Sequence, residues 1–150
     1  MMRAIKNISI SILFCLTSLT GFAQTNNVVD TLEDQYQACL DKGEGMLGCS
    51  DLFYRQMDSL LNLQYKKLRS MCDNVQKSNL KAQQLKWLSK RDKQFKQNQV
   101  ETKKAAQESG YDGGEIETMT LIDKNAMFVK ARVIELMNSS PKDYSAKTYK

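Results

Sequence analysis

The sequence predicts an all-α protein: a small helical bundle with a long antiparallel helix hairpin, a short N-terminal helix and a long C-terminal helix. Apolar residues recur every three or four positions through most of the chain, which is the period of an amphipathic helix. No segment alternates convincingly between apolar and polar residues at period two. The 150 residues include one proline and seven glycines, which are few turn-forming residues for an all-β fold.

The chain is predicted to begin with a signal peptide, residues 1–23. Two basic residues precede the apolar run ISISILFCLTSLT, and the small residues Gly21 and Ala23 place the cleavage before Gln24. The apolar run is shorter than the roughly 20 residues of a transmembrane helix. We therefore expect an exported chain, periplasmic or secreted, with no stable membrane insertion after cleavage.

Two predicted helices make up the first part of the exported chain. Residues 24–29 are polar and expected to be flexible, and Asp30 or Thr31 can cap a short first helix that ends at KGEG. Ser50 is a suitable N-cap for the second helix. The apolar positions of the second helix form one broad face that continues up to the QKSN segment, where we expect the hairpin to turn: Phe53, Met57, Leu60, Leu61, Tyr65, Leu68, Cys72 and Val75.

The third helix is predicted to start near Ser78 and to end just before Gly110, which is suited to the left-handed conformation that follows a helix. Gln83, Trp87 and Arg91 recur at intervals of four and therefore share one stripe of this helix. We expect the stripe to be the inner seam of the hairpin. The Arg91 guanidinium is then bound, as a structural clamp, by acceptors of the second helix: Asp58, Asn62 and Tyr65.

The fourth helix is predicted to run from about Glu115 to Met137. Its buried face is expected to consist of apolar residues at helical spacing: Met119, Ile122, Ala126, Val129, Val133 and Leu136. The folded helical domain is thus predicted to span residues 30–138. Residues 139–150 follow the NSSP segment and are expected to be a disordered tail.

Three cysteines remain after signal cleavage. An uninterrupted second helix separates Cys49 and Cys72 by about 34 Å at 1.5 Å per residue. A disulfide requires Cα atoms within roughly 7 Å of each other, and Cys39 is tethered close to Cys49. We therefore predict a Cys39–Cys49 disulfide that closes the LDKGEGMLG segment, with Cys72 free and packed in the core.

The residue types exclude several classes of activity. The chain has no histidine, which is the commonest general base and metal ligand and a member of the serine and cysteine nucleophile systems. Three cysteines without histidine do not make a zinc site, and no phosphate-binding glycine motif occurs. We therefore predict no enzymatic activity, no catalytic residue, no metal and no cofactor.

Charge is unevenly distributed along the chain. The formal net charge of +5 falls to +3 after signal cleavage, because two of the 22 basic residues are removed and all 17 acidic residues remain. This small excess does not favour a nucleic-acid partner. Asp30–Asp58 holds seven acidic and two basic residues, whereas Lys77–Lys104 holds nine basic and two acidic residues. We expect an acidic N-terminal part and a basic third helix.

Two motifs resemble those of a known family. The first, MDSLLNLQY, follows Cys49 and contributes Asp58, Leu61, Asn62 and Tyr65. The second, LKAQQLKWLSKRD, contributes Leu80, Gln83, Trp87, Arg91 and Asp92. A weaker match follows at Gly113, Gly114, Arg132 and Leu136. With these residues the chain resembles the lysozyme inhibitor LprI N-terminal domain-like family of exported bacterial proteins.

The resemblance implies an exported helical protein without enzymatic activity, and the family name implies lysozyme inhibition. The family usually has one cysteine three residues after the Arg-Asp pair and another in the last helix. Phe95 and Lys124 stand at these positions here. The fourth helix is therefore expected to be held by packing alone.

We expect the partner to be a lysozyme or another envelope protein, and the acidic N-terminal part suggests where it binds. An inhibitor of a basic lysozyme gains from an acidic surface, and Asp41, Glu44 and Asp51 in or near the disulfide-closed loop are the candidate contacts. The alternative is a structural or envelope-stress accessory protein that contacts anionic cell-envelope polymer through its basic third helix. Neither hypothesis fixes an oligomeric state.

Overall fold

The computed structural model describes residues 27–110 and 114–145. These residues form four α-helices and one short 3-10 helix: α1 (Asn27–Leu40), α2 (Met46–Met71), α3 (Asn74–Ser109), α4 (Glu115–Met137) and the 3-10 helix Pro141–Tyr144. No strand occurs within the described ranges. The predicted all-α bundle is confirmed, with a short first helix, two long helices joined by a turn and a long last helix.

The first helix begins earlier than the sequence predicted. Residues 27–29 were expected to be flexible but are the first residues of α1. The physical reason is Val29, whose side chain is buried in the hydrophobic core and therefore stabilises an additional helical turn. The predicted signal peptide, residues 1–23, lies outside the described residues.

The second helix also begins earlier than the predicted cap at Ser50. Its N-cap is Gly45, which has the left-handed φ of 64°, and Met46 is its first residue. Cys49 and Ser50 are therefore buried inside the helix. The Ser50 hydroxyl lies 3.3 Å from the Tyr36 hydroxyl instead of capping the helix.

The turn between α2 and α3 lies at Cys72 and Asp73, which precede the predicted QKSN break. The backbone N–H of Gln76 donates to the Asp73 carboxylate (2.8 Å), and the backbone N–H of Asp73 donates to the Gln76 side chain (2.9 Å). This reciprocal capping box starts α3. Cys72 is free and buried, as predicted. Val75 was expected on the buried face of the second helix but is 56% exposed.

The last helix is central to the packing of the bundle. The backbone of α4 approaches α2 most extensively and α3 next, whereas α2 and α3 approach each other much less. Its buried residues include the predicted Ala126, Val129, Val133 and Leu136. Phe95 stands where the family usually has a cysteine, and it meets Phe128 of α4 edge-on, with ring centroids 6.3 Å apart. Lys124 stands at the second such position, and its ammonium lies 3.7 Å from the Glu101 carboxylate of α3. Ring packing and an ion pair therefore both join α3 to α4, and the expectation that packing alone holds the fourth helix is wrong.

Residues 139–145 are ordered, which corrects the prediction of a disordered tail for this part of the chain. Tyr144 is buried in the core, and the Asn79 side-chain amide donates to its carbonyl oxygen (2.9 Å). Asp143 accepts from the backbone N–H of Ser140 (2.7 Å) and caps the short 3-10 helix. A single buried aromatic ring therefore orders a segment that is otherwise polar.

Candidate functional site

The loop between α1 and α2 is the candidate contact site. The predicted Cys39–Cys49 disulfide closes it, with Cα atoms 5.8 Å apart. Residues 41–46 are all exposed. Gly43 and Gly45 have φ angles of 71° and 64°, a left-handed conformation that glycine adopts at little cost, and they let the chain reverse direction in this short segment.

The two helices that flank the loop are joined beneath it by Tyr36. Its ring stacks on Phe53 of α2, with centroids 4.7 Å apart. Its hydroxyl donates to the Asp123 carboxylate of α4 (2.7 Å) and lies 3.3 Å from the Ser50 hydroxyl. These contacts fix α1 against both α2 and α4. The loop is therefore presented on a rigid base.

Four exposed acidic residues extend from α1 into this loop. Asp30 and Asp34 are one turn apart on α1, and Asp41 continues the same stripe two turns further on, just after the helix ends. Glu44 follows inside the loop. None of these carboxylates forms an ion pair with another described residue. We call Asp30, Asp34, Asp41 and Glu44 the acidic stripe.

The third predicted contact, Asp51, lies outside the loop on α2. Its carboxylate pairs with Arg55 one turn further along the helix (2.8 Å). Glu33 of α1 is likewise paired, with Lys130 of α4. The structure therefore brings Asp41 and Glu44 together on the loop, whereas the charge of Asp51 is balanced within its own helix.

The predicted clamp between Arg91 and the second helix does not form. Arg91 donates through Nε and a terminal nitrogen to the neighbouring Asp92 carboxylate, at 3.0 and 2.7 Å. Its guanidinium lies 5.8 Å from the ring centroids of both Trp87 and Phe95. Because the α2–α3 turn comes earlier than predicted, the register shifts. Phe95 meets Tyr54, with centroids 6.3 Å apart, instead of Leu60.

The remaining motif residues have separate structural roles. Leu61 is buried, and Tyr65 and Trp87 are partly buried and pack against the core. Asn62 donates to the carbonyl oxygen and carboxylate of Asp58 on its own helix, at 2.9 and 3.3 Å. Gln83 is exposed, so its predicted place in the inner seam is wrong.

A clamp of the predicted kind forms at Arg132 of α4 instead of at Arg91. Arg132 is 3% exposed. It donates through Nε and a terminal nitrogen to the Gln84 side chain at 3.2 and 3.0 Å, and its other terminal nitrogen lies 2.7 Å from Glu135. The guanidinium also lies 5.9 Å from the centroid of the Trp87 ring. In the sequence, the feature that indicates this role is the position of Arg132 on the apolar face of the fourth helix.

Tyr36 couples the stability of this region to pH. Burial raises the pKa of Tyr36 above its ordinary value of 10.0, the hydrogen bond to Asp123 raises it further, and the hydrogen bond to Ser50 opposes both. The folded state thus favours the neutral phenol. The contribution of Tyr36 to the free energy of unfolding is therefore complete below pH 10 and is lost as the pH rises through the folded pKa.

We expect the unfolding free energy of the wild type to fall more steeply above pH 10 than that of Tyr36→Phe. Urea denaturation across this pH range tests the expectation, and equal slopes would contradict it.

The lysines of the basic third helix do not form a comparable contact site. Its lysines are exposed and distributed around much of the helix circumference: Lys81, Lys86, Lys90, Lys93, Lys96, Lys103 and Lys104. Within the described ranges, no group of three or more Cys, Asp or Glu side chains is placed to hold a metal ion. No helix in the described part of the chain is long and apolar enough to cross a membrane.

The fold and the site together define a helical bundle that presents a disulfide-closed, acidic loop on a rigid base. The family described as lysozyme inhibitor LprI matches residues 26–136, which include almost all of the four helices. The chain belongs to this family, which confirms the family that its sequence resembles. Comparison with curated proteins and with solved structures yields no match.

Proposed function

We propose that this chain is a non-enzymatic inhibitor of a lysozyme and that it binds its target through the loop between Cys39 and Cys49. Membership of a family described as lysozyme inhibitors supports the activity and the partner. The proposed contact site rests on three properties of the loop, which is exposed, acidic and closed by a disulfide.

We further propose that the chain acts outside the cytoplasm, in the periplasm or after secretion. The N-terminal sequence supports this location, because residues 1–23 have the pattern of a signal peptide. The Cys39–Cys49 disulfide supports it as well, because structural disulfides persist in oxidising compartments. An inhibitor in that compartment meets lysozyme where the enzyme attacks the cell wall.

The structure offers a mechanism that requires no chemistry from the chain. A loop that fills or covers the substrate cleft of an enzyme blocks it by exclusion alone. The disulfide and the Tyr36 contacts restrict the loop before binding, so that little conformational entropy is lost when the complex forms. The acidic stripe accelerates encounter with a basic enzyme and makes the complex sensitive to salt.

Removal of the two loop carboxylates tests the proposed contact. We expect Asp41→Asn combined with Glu44→Gln to weaken inhibition of a basic lysozyme about tenfold, or ~1.4 kcal/mol. The substitutions preserve side-chain shape, and both residues are exposed, so stability should be unchanged. The measurement is the inhibitor concentration that halves the rate of cell-wall lysis in a turbidity assay, at low and at high salt.

A matched control removes the same charge from another surface. Asp92→Asn combined with Glu108→Gln changes one aspartate and one glutamate on α3, both largely exposed. This control should inhibit as well as the wild type. If the loop variant and the control variant inhibit equally at low salt, the loop is not the contact.

A further inference from the structure

The loop between α1 and α2 carries a single basic residue, Lys42. From Asn27 to Tyr54 the chain has six acidic residues, and Lys42 is the only base. Its side chain is exposed and forms no ion pair with another described residue, although Asp41 and Glu44 lie close to it in the sequence. The acidic loop therefore presents one positive charge that is not used within the described part of the chain.

The backbone of Lys42 is held in a tight turn that follows α1. The backbone N–H groups of Asp41, Lys42 and Gly43 donate to carbonyl oxygens of α1, at 2.9, 3.3 and 2.9 Å. Cys39, three positions before Lys42, is joined to α2 by the disulfide. The backbone at Lys42 is therefore fixed before binding, whereas its side chain extends into solvent.

The loop is narrow beyond Lys42. Gly43 and Gly45 have no side chains, and no heavy atom outside the adjacent residues lies within 4 Å of the place where a Cβ would stand. The lysine side chain is a compact charge on a flexible four-carbon stem. The loop can therefore carry the ammonium group into a cleft that excludes a wider surface.

The substrate cleft of a lysozyme offers the matching charge. The enzyme cleaves the glycosidic bond with two carboxyl groups that flank it, one protonated as the general acid and one ionised. In a basic lysozyme, this negative charge is surrounded by a positive surface. The loop has the complementary arrangement, because its one lysine lies among acidic residues.

We propose that Lys42 enters the substrate cleft of lysozyme and that its ammonium group pairs with the ionised catalytic carboxylate. This inference rests on the proposed function and names the group of the target that the loop recognises. The acidic stripe attracts the basic surface around the cleft, and Lys42 occupies the cleft itself. The pair blocks catalysis directly, because the paired carboxylate is no longer available to the substrate.

Replacement of Lys42 by methionine separates this pair from general charge attraction. Lys42→Met makes the loop more acidic, so long-range attraction to a basic enzyme alone predicts equal or stronger inhibition at low salt. Loss of the specific pair instead weakens inhibition, by about thirtyfold. Lys42 is exposed, so the variant should fold as the wild type does. The turbidity assay measures the change.

Lys66→Met is the matched control. Lys66 is exposed on α2, forms no ion pair with a described residue, and lies about 30 Å along the helix from the loop. It should inhibit as strongly as the wild type. A Lys42→Met variant that also inhibits as strongly as the wild type overturns the pairing but leaves the proposed inhibition intact. A wild type that inhibits no lysozyme overturns both.

A double-mutant cycle identifies the carboxylate itself. The second enzyme is a lysozyme whose nucleophilic aspartate is replaced by asparagine, and calorimetric titration measures binding without any need for catalysis. We expect Lys42→Met to weaken binding to the unmodified enzyme about thirtyfold, and binding to the asparagine enzyme less than about twofold. An equal loss of affinity for the two enzymes overturns the pairing.

Discussion

Replacement of Arg132 by alanine is expected to lower the free energy of unfolding by about 3 kcal/mol. The Arg132 side chain is buried and holds three polar or aromatic groups at once, on Gln84, Glu135 and Trp87. Its removal leaves a cavity in the α3–α4 seam and an unsatisfied amide oxygen on Gln84. Urea denaturation followed by circular dichroism measures the change.

Two further variants show whether the guanidinium itself accounts for the stabilising effect of Arg132. Arg132→Lys keeps the charge and most of the volume but loses the planar guanidinium. Its free energy of unfolding should therefore lie between those of the wild type and Arg132→Ala. Arg91→Ala removes an arginine that forms its ion pair with the exposed Asp92 and lies 5.8 Å from two aromatic rings. Because Arg91 is more exposed than Arg132, its loss should cost less, about 1 kcal/mol. A larger cost for Arg91→Ala than for Arg132→Ala would place the polar clamp at Arg91, as the sequence pattern had suggested.

Loss of the disulfide is expected to have the second large effect. Cys39→Ser combined with Cys49→Ser should lower the free energy of unfolding by about 2.5–3 kcal/mol, because the bond closes a loop with a sequence separation of ten residues. The same variant should inhibit lysozyme less well, because the loop must then be ordered at the moment of binding. Chemical denaturation and the turbidity assay measure the two effects on one preparation.

Cys72→Ser is the matched control for this experiment. Cys72 is free and buried between α2 and α3, away from the loop. Its replacement should affect packing but leave inhibition unchanged at temperatures where the variant is folded. A Cys39→Ser and Cys49→Ser variant that inhibits as strongly as the wild type would show that a rigid loop is not needed for binding.

Apolar periodicity predicted the four helices, but it could not locate the turn between α2 and α3. Cys72 and Val75 continue the apolar spacing, so the pattern passes through the turn without interruption. Local side-chain hydrogen bonds place the turn instead, through the capping box of Asp73 and Gln76. The DNVQ segment contains the residues of that box, and it was the signal that could have placed the turn.

The error in the turn explains part of the error in the clamp. The packing of α4 explains the rest, because the backbones of α2 and α3 approach each other much less than either approaches α4. Predicted contacts between two antiparallel helices depend on the turn position, and a shift of a few residues changes every pair along them. Arg91 was therefore assigned to Asn62 and Tyr65, although its neighbours are Asp92, Trp87 and Phe95. The Cys39–Cys49 disulfide was predictable because it depends only on the reach of a short loop and the length of one helix.

The rate of cell-wall lysis by a basic lysozyme, measured while the oxidised chain is titrated, is the most direct test of the proposed function. We predict that the rate falls as the chain is added and that inhibition saturates near one chain per enzyme. Lysis rates that stay unchanged in the presence of excess folded chain, for several types of lysozyme, would contradict it.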